Sequence, residues 1–162
     1  MLRIVEQTTA EGAEHENTLV ENTIARKIFL ANELSAGKIY RGSCLVVVND
    51  NNSTDTLTVG VRFGTTSATP ASNTDCGRST AVDSEDADQA VVKWEIQVQS
   101  ATRAIITTEI QNPDAKGTGA VTRHGTVLTI AADTQYYCDI TLDWSVAHAD
   151  NEAASACFAV TE

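Results

Sequence analysis

The sequence predicts an all-β protein, an antiparallel two-sheet sandwich of jelly-roll type with an extended N-terminal arm. Three observations lead there. The segment Thr56-Leu57-Thr58-Val59-Gly60-Val61-Arg62-Phe63 alternates polar and apolar side chains almost without error. The alternation returns at Val92-Lys93-Trp94-Glu95-Ile96-Gln97-Val98 and at Tyr136-Tyr137-Cys138-Asp139-Ile140-Thr141-Leu142-Asp143-Trp144. A period of two turns one face to a core and the other to water, as antiparallel sheet requires. Second, no stretch carries a clean helical stripe. Third, nothing repeats at a fixed period, which sets aside propellers and solenoids. Eight to ten strands are expected, and eight strands in two packed sheets is the jelly-roll arrangement. An immunoglobulin sandwich fits less well, because Cys44, Trp94 and Cys138 stand in the right order with gaps that are too wide.

Taken in order, residues 1–17 read as an arm. After a short apolar start, Glu6, Glu11, Glu14 and Glu16 stand among Thr, Ala and Gly, so the segment is either disordered, ordered against a partner, or simply frayed. The sandwich domain is expected over 18–162. Leu19–Ile24 is a first short strand. Lys27–Leu30 runs into a turn at Ala31–Gly37, where Gly37 allows a positive φ at little cost. Ile39–Val48 is a long strand ending in the apolar run Cys44-Leu45-Val46-Val47-Val48, which suggests a central or oligomer-facing position. Asn49–Asp55 is a polar hairpin turn into 56–63. Residues 64–89 read as one long loop, of a length that marks functional or mobile segments. Strands follow at 90–99 and 103–111 around the turn Ser100–Thr102. Asn112–Gly119, with Pro113, is a flexible connection. Val121–His124 and Thr126–Ile130 are weaker strands, and Tyr136–Trp144 is a strong one. Residues 145–152 form a loop, and Ala153–Thr161 closes the chain with Phe158 and Val160 on one face.

Composition narrows function. The chain has 162 residues, suited to one domain. Its 22 acidic against 11 basic residues leave a formal net charge of −11. That argues against nucleic acid, whose binding needs a basic stripe, and against anionic membranes. No apolar run reaches the ~20 residues that span a bilayer. The opening Met1-Leu2-Arg3-Ile4-Val5-Glu6 lacks the long apolar core of a secretion signal, so the chain is expected to start in a cytosol. Cys44, Cys76, Cys138 and Cys157 are far apart, with no CxxC pair and no His at ligand spacing. They read as reduced structural thiols, and neither a metal nor another cofactor is expected.

Chemistry finds few footholds. His15, His124 and His148 stand in no recognised nucleophile–base–acid pattern and sit in expected arms or loops. No nucleophile elbow, P-loop or HExxH occurs, so no catalytic residue is assigned and the chain is not expected to be an enzyme. Asp83, Glu85, Asp86 and Asp88 suggest calcium, but the cluster lacks the glycine of a calcium loop and reads as a solvated loop. Trp94 and Trp144 fall in register with apolar neighbours and read as core, while Tyr137 points the other way and is the better candidate for an exposed aromatic.

One resemblance sharpens this. Ile28-Phe29-Leu30-Ala31-Asn32-Glu33-Leu34-Ser35-Ala36-Gly37-Lys38-Ile39-Tyr40-Arg41 and Thr54-Asp55-Thr56-Leu57-Thr58-Val59-Gly60-Val61-Arg62-Phe63-Gly64 resemble the small jelly-roll virion proteins of tailed bacteriophages. These include head decoration proteins and head or tail fibre domains. The strand bearing Trp94, the Asp139–Trp144 strand and the Ala-rich Ala153–Val160 strand fall in the places that pattern expects. The acidic arm and the acidic 83–88 insert depart from it. The resemblance covers about residues 28–162 and implies a structural virion protein, made in the host cytoplasm and seated on the capsid surface. A decoration or cement protein of that kind binds the major capsid protein and itself as a homo-oligomer, commonly a trimer. On this reading Leu2, Ile4 and Val5 of the arm are the expected capsid or partner contact. The rival reading is a fibre or receptor-binding module for host surface glycans.

Overall fold

The computed structural model describes residues 4–8, 15–16, 18–52, 54–112 and 120–162, with the backbone alone at 5, 6 and 8. Twelve strands are found among them: β1 (Ile4–Thr8), β2 (His15–Glu16), β3 (Asn22–Phe29), β4 (Ile39–Asp50), β5 (Thr56–Gly64), β6 (Thr74–Arg78), β7 (Val82–Asp83), β8 (Gln89–Ser100), β9 (Arg103–Gln111), β10 (Val121–Thr129), β11 (Tyr136–Trp144) and β12 (Glu152–Thr161). They form two antiparallel sheets. The larger runs β1-β12-β4-β8-β9-β10, with β2 also on β12, and the smaller runs β3-β11-β5-β6, with β7 on β5. This is the jelly-roll type of sandwich that the alternating segments predict. One turn of 3-10 helix, Pro70–Ser72, is the helical element among the described residues, and no helix there is long and apolar enough to cross a membrane.

Alternation builds the core. Leu57, Val59, Val61 and Phe63 of β5 and Cys138, Ile140, Leu142 and Trp144 of β11 point inward from the smaller sheet. Tyr40, Val46, Trp94, Ile96 and Ile106 meet them from the larger one. Phe29 joins the layers: its ring lies edge-on to Tyr40 at 5.0 Å and to Trp94 at 6.4 Å. Such pairs add about 0.5–1.5 kcal/mol each beyond burial. Both tryptophans are core residues, as their register predicts. In β4 the alternation persists through Cys44–Val48: Cys44, Val46 and Val48 are buried, and Leu45 and Val47 are half-buried. The strand is central in its sheet, between β12 and β8.

Hydroxyl and ring donors stitch the sheets at both flanks. Thr108 Oγ1 donates to the Cys76 carbonyl at 3.0 Å, and Thr122 Oγ1 and His124 Nε2 donate to the Arg78 carbonyl at 3.0 and 3.2 Å. Gly77 lets β6 come this close: a Cβ there would fall 2.2 Å from Thr108 Oγ1, and its φ is +153°. On the opposite flank Ser155 Oγ donates to the Ile24 carbonyl at 3.1 Å, and Trp144 Nε1 donates to the His15 carbonyl at 3.2 Å.

Several expectations need correction. The segments expected at Leu19–Ile24 and Lys27–Leu30 form one strand, β3 (Asn22–Phe29), and Leu19 and Val20 lie exposed outside it. A bulge in its pairing with β11 shifts the register at Ile24 and breaks the simple alternation. The expected loop over 64–89 holds β6 and β7, short strands whose polar sequences carry no periodic signal. The two weak strands at 121–130 are one uninterrupted strand through Gly125. His124 lies in that strand and His15 is buried in β2, so neither sits in a loop. The expected connection at 113–119, with Pro113, lies outside the described residues. Gly37 takes the positive φ expected of it, at 86°.

Candidate functional site

The outer face of the larger sheet carries a trough of about 710 Å³. Register builds it. One row across the strands reads Ala159, Ser43, Lys93, Glu109, Arg123, and the next reads Thr161, Arg41, Glu95, Thr107, Gly125. These positions share one face because strand side chains alternate. Small residues make the floor, and cross-strand ion pairs make the walls. Arg123 Nε meets Glu109 Oε2 at 2.9 Å, Lys93 Nζ lies 3.7 Å from Glu109 Oε1, and Arg41 Nε meets Glu95 Oε2 at 2.6 Å. Gln97 Nε2 donates to Glu95 Oε1 at 2.5 Å. Most of the trough's surface is apolar, and ion pairs of both signs rim it.

The smaller sheet's outer face is built differently. Glu21, carried in over the sheet by the segment before β3, is buried and accepts a two-pronged contact from Arg62: Nε to Oε1 at 2.9 Å and Nη2 to Oε2 at 2.8 Å. Arg78 Nη2 reaches the same Oε2 at 2.5 Å, and Thr141 Oγ1 donates to Oε1 at 2.6 Å. Arg78 Nε also holds Asp75 at 2.8 Å. Along β11, Asp139 is fully buried and accepts from Arg26 Nε at 2.5 Å. Burial pushes the Asp139 carboxyl above its usual range, with Arg26 opposing the shift. Asp143 is also raised, by burial first and by Glu21 second. His15 moves down, because burial disfavours its charged form. Asn22 Nδ2 donates to its Nδ1 at 3.2 Å.

Strong pKa perturbation in a cleft is a mark of catalysis, but structural ion-pair networks produce it too. Here Asp139 lies fully buried against Arg26, Asp143 sits half-buried beside Arg78, and His15 is buried against Asn22. The histidines likewise hold structural partners: His15 takes Asn22, His124 takes the Arg78 carbonyl, and His148 Nδ1 accepts the Asp150 amide at 3.2 Å.

The residues singled out by sequence scatter. Ile4 is exposed and its backbone pairs with Thr161, so β1 lies along the chain's own β12. The Val5 side chain and all of Leu2 lie outside the described residues. Tyr137 is half-buried, and the Arg26 guanidinium covers its ring at 4.8 Å. In the 83–88 segment, Asp88 Oδ2 accepts the Glu85 amide at 2.8 Å and Asp86 Oδ1 accepts the Asn51 amide at 3.1 Å. These carboxylates shape turns. Cys44, Cys76 and Cys138 are buried thiols, and Cys157 is exposed. Sequence reading missed the trough, whose members come from five strands. The one sign was polar residues on alternate positions of each strand, which says "wet face" and not which faces adjoin.

No protein-family profile matches the chain, and no curated protein matches it. Among solved structures it is similar to an engineered GH43 glycoside hydrolase with endo-xylanase and exo-arabinofuranosidase activity, at 11% identity and a TM-score of 0.45 over 78% of this chain and 30% of that one. It is also similar to lectin UEA-II complexed with galactose, at 11% identity and a TM-score of 0.44 over 99% of this chain and 91% of the lectin. A structure of infectious bursal disease virus, Gt strain, aligns at 13% identity and a TM-score of 0.36 over 99% of this chain and 33% of that chain. The chain thus spans under a third of the glycoside hydrolase and a third of the virus protein.

Proposed function

We propose that this chain is a structural virion protein, a decoration or cement protein that binds the capsid lattice of a tailed phage and stabilises the head. The observation that carries the reading is where the charged and titratable side chains go. Glu21, Arg62, Arg78 and Asp139 lock one sheet face, and the other face presents an open trough walled by ion pairs. A molecule built this way acts through its surfaces. The resemblance over about residues 28–162 supports the same reading. Reinforcement suits it, because a clamp repeated at many identical seams multiplies a modest energy per site, and a close-packed interior transmits load.

The test is occupancy on intact particles. Immunogold labelling and quantitative mass spectrometry are expected to place many copies on the head, and particles lacking the chain are expected to rupture at lower temperature. A few copies at the tail, or a glycan-array signal abolished by Arg41→Ala and Arg123→Ala, would replace this reading with a receptor-binding module.

A further inference from the structure

We infer that β10 is a self-pairing edge: two copies of this chain join their larger sheets antiparallel across a twofold axis at Gly125. The backbone of β10 says which groups are free. At one end of the β9–β10 ladder the Asn112 amide donates to the Ala120 carbonyl at 3.0 Å, and at the other the Ile130 amide donates to the Thr102 carbonyl at 3.2 Å. Hydrogen-bonded and non-bonded pairs alternate along an antiparallel ladder. Counted from either end, Thr122, His124, Thr126 and Leu128 bond to β9. The N–H and C=O groups of Val121, Arg123, Gly125, Val127 and Thr129 then point away from it, and among the described residues they meet no backbone partner.

Those five residues are self-complementary. Turned about Gly125, Val121 faces Thr129 of the second copy, Arg123 faces Val127, and Gly125 faces itself. Every pair joins two residues with outward backbone groups, so all five amides of each copy find a carbonyl. The side chains agree. No like charges oppose one another, and exposed Val121 and Val127, at 42% and 61% exposure, gain cover. Charge also selects this edge. β10 carries Arg123 and no carboxylate, in a chain of net charge −11 whose copies otherwise repel. Natural edges are usually blunted by bulges, prolines or inward charges. β10 has an unbroken nine-residue register and no proline. The smaller sheet's edge β3, by contrast, is broken at Ile24. Pairing also sets two troughs side by side, because Arg123 and Gly125 line both the seam and the trough. The inference stands apart from the virion reading and can fail without it.

Sedimentation of the full chain is expected to show a concentration-dependent dimer. In a Cys157→Ser background, Gly125→Cys is expected to crosslink under mild oxidation, since paired Cα atoms about 5.5 Å apart suit a disulfide. Thr129→Cys is expected not to, because its counterpart lies roughly 27 Å away, eight residues at about 3.4 Å each. Gly125→Pro removes an outward amide without touching the β9 ladder, and should give a monomer with the parent's circular dichroism. A parent that stays monomeric at all concentrations, or crosslinking at 129 in place of 125, overturns the inference. So does a β10 edge whose amides gain hydrogen-exchange protection on capsids alone.

Discussion

Glu21 shows how a residue can escape sequence reading. Arg62 occupies a wet-face position in an alternating strand and reads as a solvent-facing charge. In the fold it is buried beneath Glu21, which lies 41 residues earlier in the chain. Nothing local to either residue announces the pair, so the exposed face of β11 and β5 was legible but its cover was not. A buried pair is weak evidence of net stability, yet removing one partner strands the other. Glu21→Gln is therefore expected to destabilise the fold by about 3 kcal/mol in urea unfolding, with Arg62 left short of its counter-charge. His15 supplies a pH dependence. Burial holds its pKa below 6.5. As pH falls through 6.5 the unfolded chain binds that proton and the folded chain does not, so the stability His15 contributes above pH 6.5 is lost below it. The raised carboxyls of Asp139 and Asp143 act in the opposite sense, gaining stability as pH falls toward the ordinary value of 3.8. Comparing the parent with His15→Gln cancels the Asp139 contribution, and Asp143, which His15 partly holds down, titrates toward the acid end below the window compared. The variant is expected to lose less unfolding free energy than the parent between about pH 7.5 and about pH 5.5.

Strands declare themselves when one face is greasy. β5, β8, β9 and β11 stand nearly where the alternation predicts. β6 does not, because Thr74-Asp75-Cys76-Gly77-Arg78 buries one thiol and a glycine and holds its place by hydrogen bonds and ion pairs. Elements held by polar stitching leave no period to read. Packing between neighbours is similarly silent in sequence. Gly42 of β4 lies under the Trp94 ring, and a Cβ there would sit 2.1 Å from Trp94 Cε2. Gly42→Ala must displace the indole, and overpacking of this kind costs about 1–3 kcal/mol. The expected readout is a lower thermal midpoint together with altered tryptophan fluorescence. The arm is an element with a role inside its own chain. β1 and β2 both pair with β12, and the His15 carbonyl takes the Trp144 indole N–H. Deleting residues 1–17 bares the β12 edge and strands a buried donor, a loss of about 1–3 kcal/mol for the donor alone. The truncated chain is expected to unfold at lower urea and to aggregate sooner, measured by circular dichroism and light scattering. Unchanged stability would leave the arm free for a partner.

At the scale of the whole molecule, the question is whether the two sheets open as one unit. The contacts favour it: Phe29 bridges both layers, and hydroxyl stitches hold both flanks. The cysteines make this measurable, since they are distributed across the sandwich. Cys44 belongs to the larger sheet, Cys76 and Cys138 to the smaller, and all three are buried. Burial pushes the Cys44 and Cys76 thiols up to about 12 and raises Cys138 as well, so none carries reactive thiolate in the native state. Cys157 is exposed to solvent. Under an aromatic disulfide reagent one thiol is expected to react at once. The other three should follow through opening of the fold, with one shared rate constant and one shared urea dependence, because regions of a cooperative unit open together. Mass spectrometry of partly labelled chains would then find species with one or four labels and few between. If Cys76 and Cys138 react ahead of Cys44, the smaller sheet opens alone and the stitches at β6 are weaker than the core beneath them. A single rate instead means that the two sheets open as one cooperative unit, with the stitches at β6 as strong as the core beneath them.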